Sequence, residues 1–139
     1  MGGLIAVHHL GLTVTDVDRS ARWYCDVLDF VPTGRYEAPA GERRKIFLSH
    51  PGLGVRLGLV QHQGSSGRPF DETQSGLDHL AFRVPALADL QSWAARFARA
   101  GVPHAGIAES HTIPGARLIV FRDPDNIQLE LFADPPARG

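Results

Sequence analysis

Apolar and polar residues alternate from Ala6 to Val14, which predicts a strand with Leu10, Leu12 and Val14 on one face and His9, Gly11 and Thr13 on the other. Asp16-Val17-Asp18 then offers capping groups. Ala21, Tyr24, Cys25 and Leu28 recur at i, i+3, i+4, i+7, so Arg19 to Leu28 reads as a short amphipathic helix. Three strands are predicted next, over Val31–Tyr36, Arg44–Ser49 and Val55–Gln61, with Pro39-Ala40-Gly41 and Pro51-Gly52-Leu53-Gly54 as the turns between them.

The order then repeats. His79 to Val84 reads as a strand; Leu87, Leu90, Ala94, Phe97 and Ala98 form a helical stripe that Gly101 should stop. His104–Glu109, Arg117–Arg122 and Gln128–Phe132 read as strands, the last two joined by a turn at Asp123-Pro124-Asp125-Asn126. Each half is thus one strand, one helix and three strands. A lone half has nothing to cover its sheet, so an α+β fold of two paired βαβββ modules is expected. The boundaries read as module 1 over about 4–62, a polar, Gly- and Ser-rich linker over about 63–76, and module 2 over about 77–133, within a single domain 1–139.

Composition narrows the function classes. The chain has 139 residues, 43% hydrophobic and 21% charged, with a net charge of −1. No stretch of five or six like charges appears, which argues against nucleic-acid or membrane-surface partners. Apolar stretches fall short of the ~20 residues a membrane span needs. Neither a leader nor a disulfide is expected, since the N-terminal stretch lacks the leader pattern and Cys25 is alone; a cytoplasmic location fits. Cys25 reads as a small core residue rather than a nucleophile.

The two halves share a phrase: His9-Leu10-Gly11-Leu12-Thr13-Val14 returns 70 residues later as His79-Leu80-Ala81-Phe82-Arg83-Val84. With the oily positions turned to the helices, both histidines face the other side of their sheets. In the last strand Leu129 and Leu131 are the oily positions, which puts Glu130 on the histidines' side. A carboxylate on such a face calls for a cation or donors. Two imidazoles and one carboxylate form a facial set with open positions, suited to iron(II), manganese(II), zinc, nickel or cobalt. The counterpart of Glu130 in the first half falls at position 60 by the repeat offset, or at Gly58 by matching Leu57-Gly58-Leu59 to Leu129-Glu130-Leu131. Glycine has no side chain to ligate with, so three protein ligands are expected.

These phrases, together with Trp23-Tyr24, Val27-Leu28-Asp29-Phe30, Gly76-Leu77-Asp78 and Phe121-Arg122-Asp123, resemble the vicinal oxygen chelate superfamily, which includes glyoxalase I, extradiol dioxygenases, methylmalonyl-CoA epimerase, fosfomycin-modifying enzymes and bleomycin-resistance proteins. The resemblance spans nearly the whole chain. It implies a half-open barrel-like cleft, a divalent metal on His9, His79 and Glu130, and a homodimer. Glyoxalase I and the epimerase carry a fourth ligand where Gly58 stands. The three-ligand pattern is more like that of extradiol dioxygenases and fosfomycin-modifying enzymes, which favours Fe2+ or Mn2+ over Zn2+, Ni2+ or Co2+. The latter enzymes carry Thr two residues after the first ligand, however, and Gly11 stands there.

The expected function is therefore a metal-dependent enzyme, dioxygenase-like or glyoxalase-like, acting on a small oxygen-chelating substrate. The alternative is an antibiotic-sequestering protein of the bleomycin-resistance type that binds without catalysis. Arg56 is a candidate for an anionic substrate group, Phe47 and Phe121 for an apolar pocket, and His111, in the loop Glu109–Gly115, for acid/base work. His50, His62 and His104 lie at turns or strand ends and read as solvated, and Trp23 and Trp93 as packing residues.

Overall fold

The computed structural model describes residues 2–139. It divides into two compact units, the first ending at Arg68 and the second beginning at Pro69. In the first, β1 (His9–Thr13), α1 (Val17–Leu28), β2 (Val31–Glu37), β3 (Arg43–Ser49) and β4 (Arg56–His62) build an open sheet in the order β1-β4-β3-β2. The second repeats the plan with β5 (Leu80–Val84), α2 (Leu87–Ala100), β6 (His104–Glu109), β7 (Arg117–Arg122) and β8 (Gln128–Ala133), in the order β5-β8-β7-β6. In each sheet the first strand runs parallel to the last and the others pair antiparallel. The fold is α+β, two βαβββ modules, and neither sheet closes into a barrel.

Local chemistry accounts for the helices. Asp16 caps α1 by accepting from the Arg19 amide at 2.9 Å, and Asp29 ends it in a left-handed conformation, φ 62°. Asp89 reaches back to accept from the Ala86 amide at 3.0 Å at the start of α2. Gly101, at φ 68°, stops that helix as its position predicts, with the Val102 amide returning to Phe97 O at 2.9 Å.

Each helix covers one face of its own sheet. Tyr24 and Leu28 from α1 are buried, as are Leu48, Leu57 and Leu59 from the sheet; in the second unit Leu90 and Phe97 from α2 are buried, as are Ile119, Phe121, Leu129 and Leu131. β8 alternates buried Leu129, Leu131 and Ala133 with partly exposed Gln128, Glu130 and Phe132, the phase expected from the sequence. Cys25 falls on the flank of α1 at intermediate exposure, less enclosed than its helical phase suggests. Burial and the neighbouring Asp26 push its thiol pKa up, which disfavours the reactive thiolate.

Element ends shift by one to three residues from expectation, and two of the shifts bear on the candidate site. β1 starts at His9 rather than Ala6, because the ladder with β4 begins at the His9–Arg56 pair and leaves Leu4, Ile5 and Val7 exposed. β5 starts at Leu80, so His79 stands just ahead of its strand. Among the described residues, no helix is long and apolar enough to cross a membrane.

The segment leading to β5 is tied down. Glu72 meets both terminal nitrogens of Arg122, at 3.0 and 2.9 Å. The guanidinium pulls the Glu72 carboxyl from 4.5 down to about 2. A depressed folded-state value means the pair's contribution is complete above the unfolded value of 4.5 and is lost as pH falls toward 2. Glu72→Gln removes that titration. Its urea midpoint is expected to fall less than the wild type's between about pH 5 and about pH 3; equal falls would show that the pair does not contribute.

Candidate functional site

The second unit brings two of the expected ligands together. Glu130 leaves β8 on the partly exposed face, its side chain 13% exposed, with Ala81 of β5 and Val120 of β7 as strand neighbours. His79, at the entry to β5, places Nε2 3.7 Å from Glu130 Oε2. Two donors on one ion, each at ~2.1 Å and near the tetrahedral angle, stand roughly 3.4 Å apart. The pair is therefore close to chelating separation, and too far apart for a hydrogen bond. The other ring nitrogen of His79, Nδ1, lies 2.7 Å from Asp78 Oδ1.

His9, in the first unit, opens β1 and is exposed. Its Nδ1 lies 2.8 Å from Nδ1 of His8, and its Nε2 carries a lone pair in the tautomer in which His9 Nδ1 is the donor. Among the described residues, no three His, Cys, Asp or Glu side chains are grouped so as to hold a metal ion.

Strand register settles which position mirrors Glu130. Glu130 pairs with Ala81, two residues after His79, and Gly58 pairs with Gly11, two residues after His9. Gly58 is thus the counterpart, and position 60, reached by the repeat offset, is not. A Cβ at Gly58 would meet Leu10 O and the Phe47 ring at 3.8 Å, an ordinary contact. Space admits a Cβ there, so glycine at this position is a feature of this sequence rather than a steric demand of the sheet.

The first unit also carries an open cleft of about 550 Å³ lined by His8, His9, Thr33, Phe47, Arg56 and Gly58, among others. That volume is within the range of small-molecule sites. Arg56 sits beside His9 across the β1–β4 ladder, and Phe47 packs next to Gly58 in the β3–β4 register. Phe121, by contrast, is 1% exposed with its ring 4.6 Å from that of Phe97; it belongs to the core under α2 and does not line a pocket. His111 is exposed in the loop before β7.

Sequence reasoning missed two sets of residues. Thr33 lines the cleft, and so does Ser49, whose position two residues after Phe47 gave a signal that could have been read. Asp78, Gln128, Arg122 and Glu72 form a connected polar chain behind His79 that no local pattern announces.

Known proteins share this architecture. YaeR of Escherichia coli K12, an uncharacterized protein, is 32% identical over 95% of this chain and 98% of its own length. A glyoxylase/bleomycin resistance protein/dioxygenase domain from Frankia sp. EAN1pec is 36% identical, with a TM-score of 0.84 over 95% of this chain and 99% of the other. At lower identity the fold is shared with FosX, a fosfomycin resistance protein from Listeria monocytogenes solved with Mn(II) and sulfate (17% identity, TM-score 0.68, 96% of each chain). It is shared as well with TnmS3, an antibiotic-binding protein from Streptomyces sp. CB03234 (19%, TM-score 0.72, 96% and 99%). The profile of the glyoxalase/bleomycin resistance protein/dioxygenase superfamily matches residues 6–131, nearly the whole chain, and it is to this superfamily that the protein belongs.

Proposed function

We propose that the protein is a metal-dependent enzyme of the dioxygenase-like or glyoxalase-like kind, in which His9, His79 and Glu130 hold one divalent ion and the two modules serve as one domain. The observation that carries this reading is the His79–Glu130 pair. Its imidazole nitrogen and carboxylate oxygen stand 3.7 Å apart, on a strand face where, among the described residues, the carboxylate has no other ion-pair or hydrogen-bond partner. His9 completes the set as the counterpart of His79 in the repeat, with the His8 imidazole rather than a carboxylate beside its Nδ1. Nitrogen and oxygen donors in this ratio suit Fe(II) or Mn(II), with Zn(II), Ni(II) and Co(II) also within range. FosX, solved with Mn(II), supports the use of such an ion by this fold.

When bound, the ion supplies Lewis acidity to two neighbouring substrate oxygens and stabilises the negative charge that develops on them. The chain's own groups supply the rest. Arg56 receives an anionic group of the substrate, Phe47 packs against its apolar body, and Gly58 keeps the floor between them open. His111 is the candidate for moving a proton at its exposed imidazole. Homodimer assembly is part of the same reading, and exposed Leu4, Ile5 and Val7 ahead of β1 provide apolar surface for it.

The similarity to TnmS3 and the Phe47-lined cleft support one other reading, antibiotic binding without chemistry. Metal content separates the two. Protein purified without a metal-affinity tag is expected to carry about one divalent ion per chain, to lose it to a chelator and to regain it on reconstitution. Failure to take up Fe(II), Mn(II), Zn(II), Ni(II) or Co(II), with tight binding of an unaltered aromatic compound, would establish sequestration instead.

A further inference from the structure

We infer that Asp78 is a positioning residue for His79. Its carboxylate holds the imidazole with Nδ1–H engaged and the Nε2 lone pair turned toward Glu130, and a hydrogen-bonded chain anchors Asp78 to the β7–β8 hairpin. The inference rests on the metal reading above.

An ionised carboxylate can only accept, so the 2.7 Å contact makes Nδ1 of His79 the donor. In a neutral imidazole the other nitrogen then keeps its lone pair. That lone pair faces Glu130 Oε2 across 3.7 Å, two acceptors with a gap that a cation fits. A carboxylate on the far nitrogen of a metal-binding histidine fixes the tautomer and the ring orientation and raises ligand basicity.

Asp78 is held in its turn. Its side chain is 66% exposed, and one contact to a neighbouring ring would not fix it. Gln128 Nε2 donates to the same Oδ1 at 3.3 Å. The amide of Gln128 is oriented in turn, because its Oε1 accepts from Arg122 Nη2 at 2.9 Å. Arg122 is locked by its fork on Glu72 and by donation to Asn126 O at 3.2 Å. The segment before His79 is pinned to this hairpin at its far end too. The Phe70 amide donates to Asp125 O at 2.7 Å, and Asn126 Nδ2 donates to Phe70 O at 3.0 Å. Residues 70, 72 and 78 are thus tied to the 122–128 turn from which β8 leaves with Glu130. Both ligands of the second unit issue from one braced assembly.

The experiment uses the full chain, metal-free and 15N-histidine-labelled, as wild type, Asp78→Ala and Asp78→Asn, with His79→Ala to assign the ring. Long-range 1H–15N spectra read the tautomer, and Mn(II) titration reads affinity. The wild-type ring is expected as Nδ1–H. Asp78→Ala is expected to give a mixed tautomer and Mn(II) binding weakened about 10- to 100-fold. Asp78→Asn keeps an acceptor oxygen and is expected to retain the tautomer and most of the affinity. A wild-type ring protonated at Nε2 or at both nitrogens overturns the inference, as does an Asp78→Ala protein with unchanged tautomer and affinity. Absence of uptake of all five ions, Mn(II), Fe(II), Zn(II), Ni(II) and Co(II), by the wild type overturns the metal reading and this role together. Normal uptake that is indifferent to Asp78 overturns the positioning role alone.

Discussion

Glu130→Leu is expected to lower divalent-metal affinity by at least ~100-fold while leaving the metal-free protein as stable as the wild type, or more stable by about 1 kcal/mol. The two effects have opposite signs because they come from one cause. The carboxylate is 13% exposed and stands between the buried Leu129 and Leu131, with His79 Nε2 at 3.7 Å. Without a metal it carries a desolvation cost that this contact, longer than a hydrogen bond, does not repay. Leucine has similar volume and finds Ala81 and Val120 as its neighbours across the ladders, so it packs where the carboxylate was strained for partners. Metal content by mass spectrometry and urea unfolding in chelator read the two halves of the prediction. Metal retention by the variant would remove Glu130 from the ligand set. A loss above about 2 kcal/mol in chelator would make the carboxylate a structural group with partners of its own.

The architecture was legible because alternation and turn chemistry agree along nearly the whole chain. Leu10-Gly11-Leu12 and Leu129-Glu130-Leu131 place their oily faces without ambiguity, and Gly101 stops α2 where its left-handed conformation is required. Phe47 and Phe121 show where the period stops helping. In Arg43–Ser49, Ile46 and Leu48 mark the core face and leave Phe47 on the other, toward the cleft. In Arg117–Arg122 both faces are apolar, Leu118 and Val120 against Ile119 and Phe121, so only the packing of α2 shows that Phe121 belongs to the core.

For the candidate site, the repeat named His9 and His79 and the oily phase of β8 named Glu130, but two offsets left the partner of Glu130 open. The Gly11–Gly58 and Ala81–Glu130 pairings settle it, since loop lengths differ between the halves and register does not. The brace behind His79 had no local signature. Glu72 lies in a segment whose Gly- and Ser-rich composition reads as linker, and its partner Arg122 is 50 residues away. Such pairings follow from where the chain folds back, which a period of two or 3.6 residues does not encode.

Phe97→Ala is expected to cost about 3–5 kcal/mol, the largest stability loss of any substitution considered for this protein. Phe97 is fully buried on the inner face of α2, with ring neighbours Phe121 at 4.6 Å, Trp93 at 5.7 Å and His104 at 6.0 Å. Truncation removes the ring's transfer free energy and leaves a cavity bounded by other rings, which collapse poorly into the space. The consequence reaches the site through the sheet. Phe121 pairs with Leu129 across β7 and β8, and the next residue is Glu130, so the helix supports the strand that carries the carboxylate. Phe97→Leu keeps most of the volume and is expected to lose about 1–2 kcal/mol. Urea unfolding followed by far-UV circular dichroism orders the three proteins. A ligand that binds only the folded chain adds ~2.7 kcal/mol at a hundred times its Kd, so Mn(II) in that excess should recover more than half of the alanine variant's deficit. An alanine variant within 1 kcal/mol of wild type in chelator would show that the sheet holds its shape without the helix. In that case the His79–Glu130 geometry would rest on the β5–β8 ladder and the Arg122 brace alone.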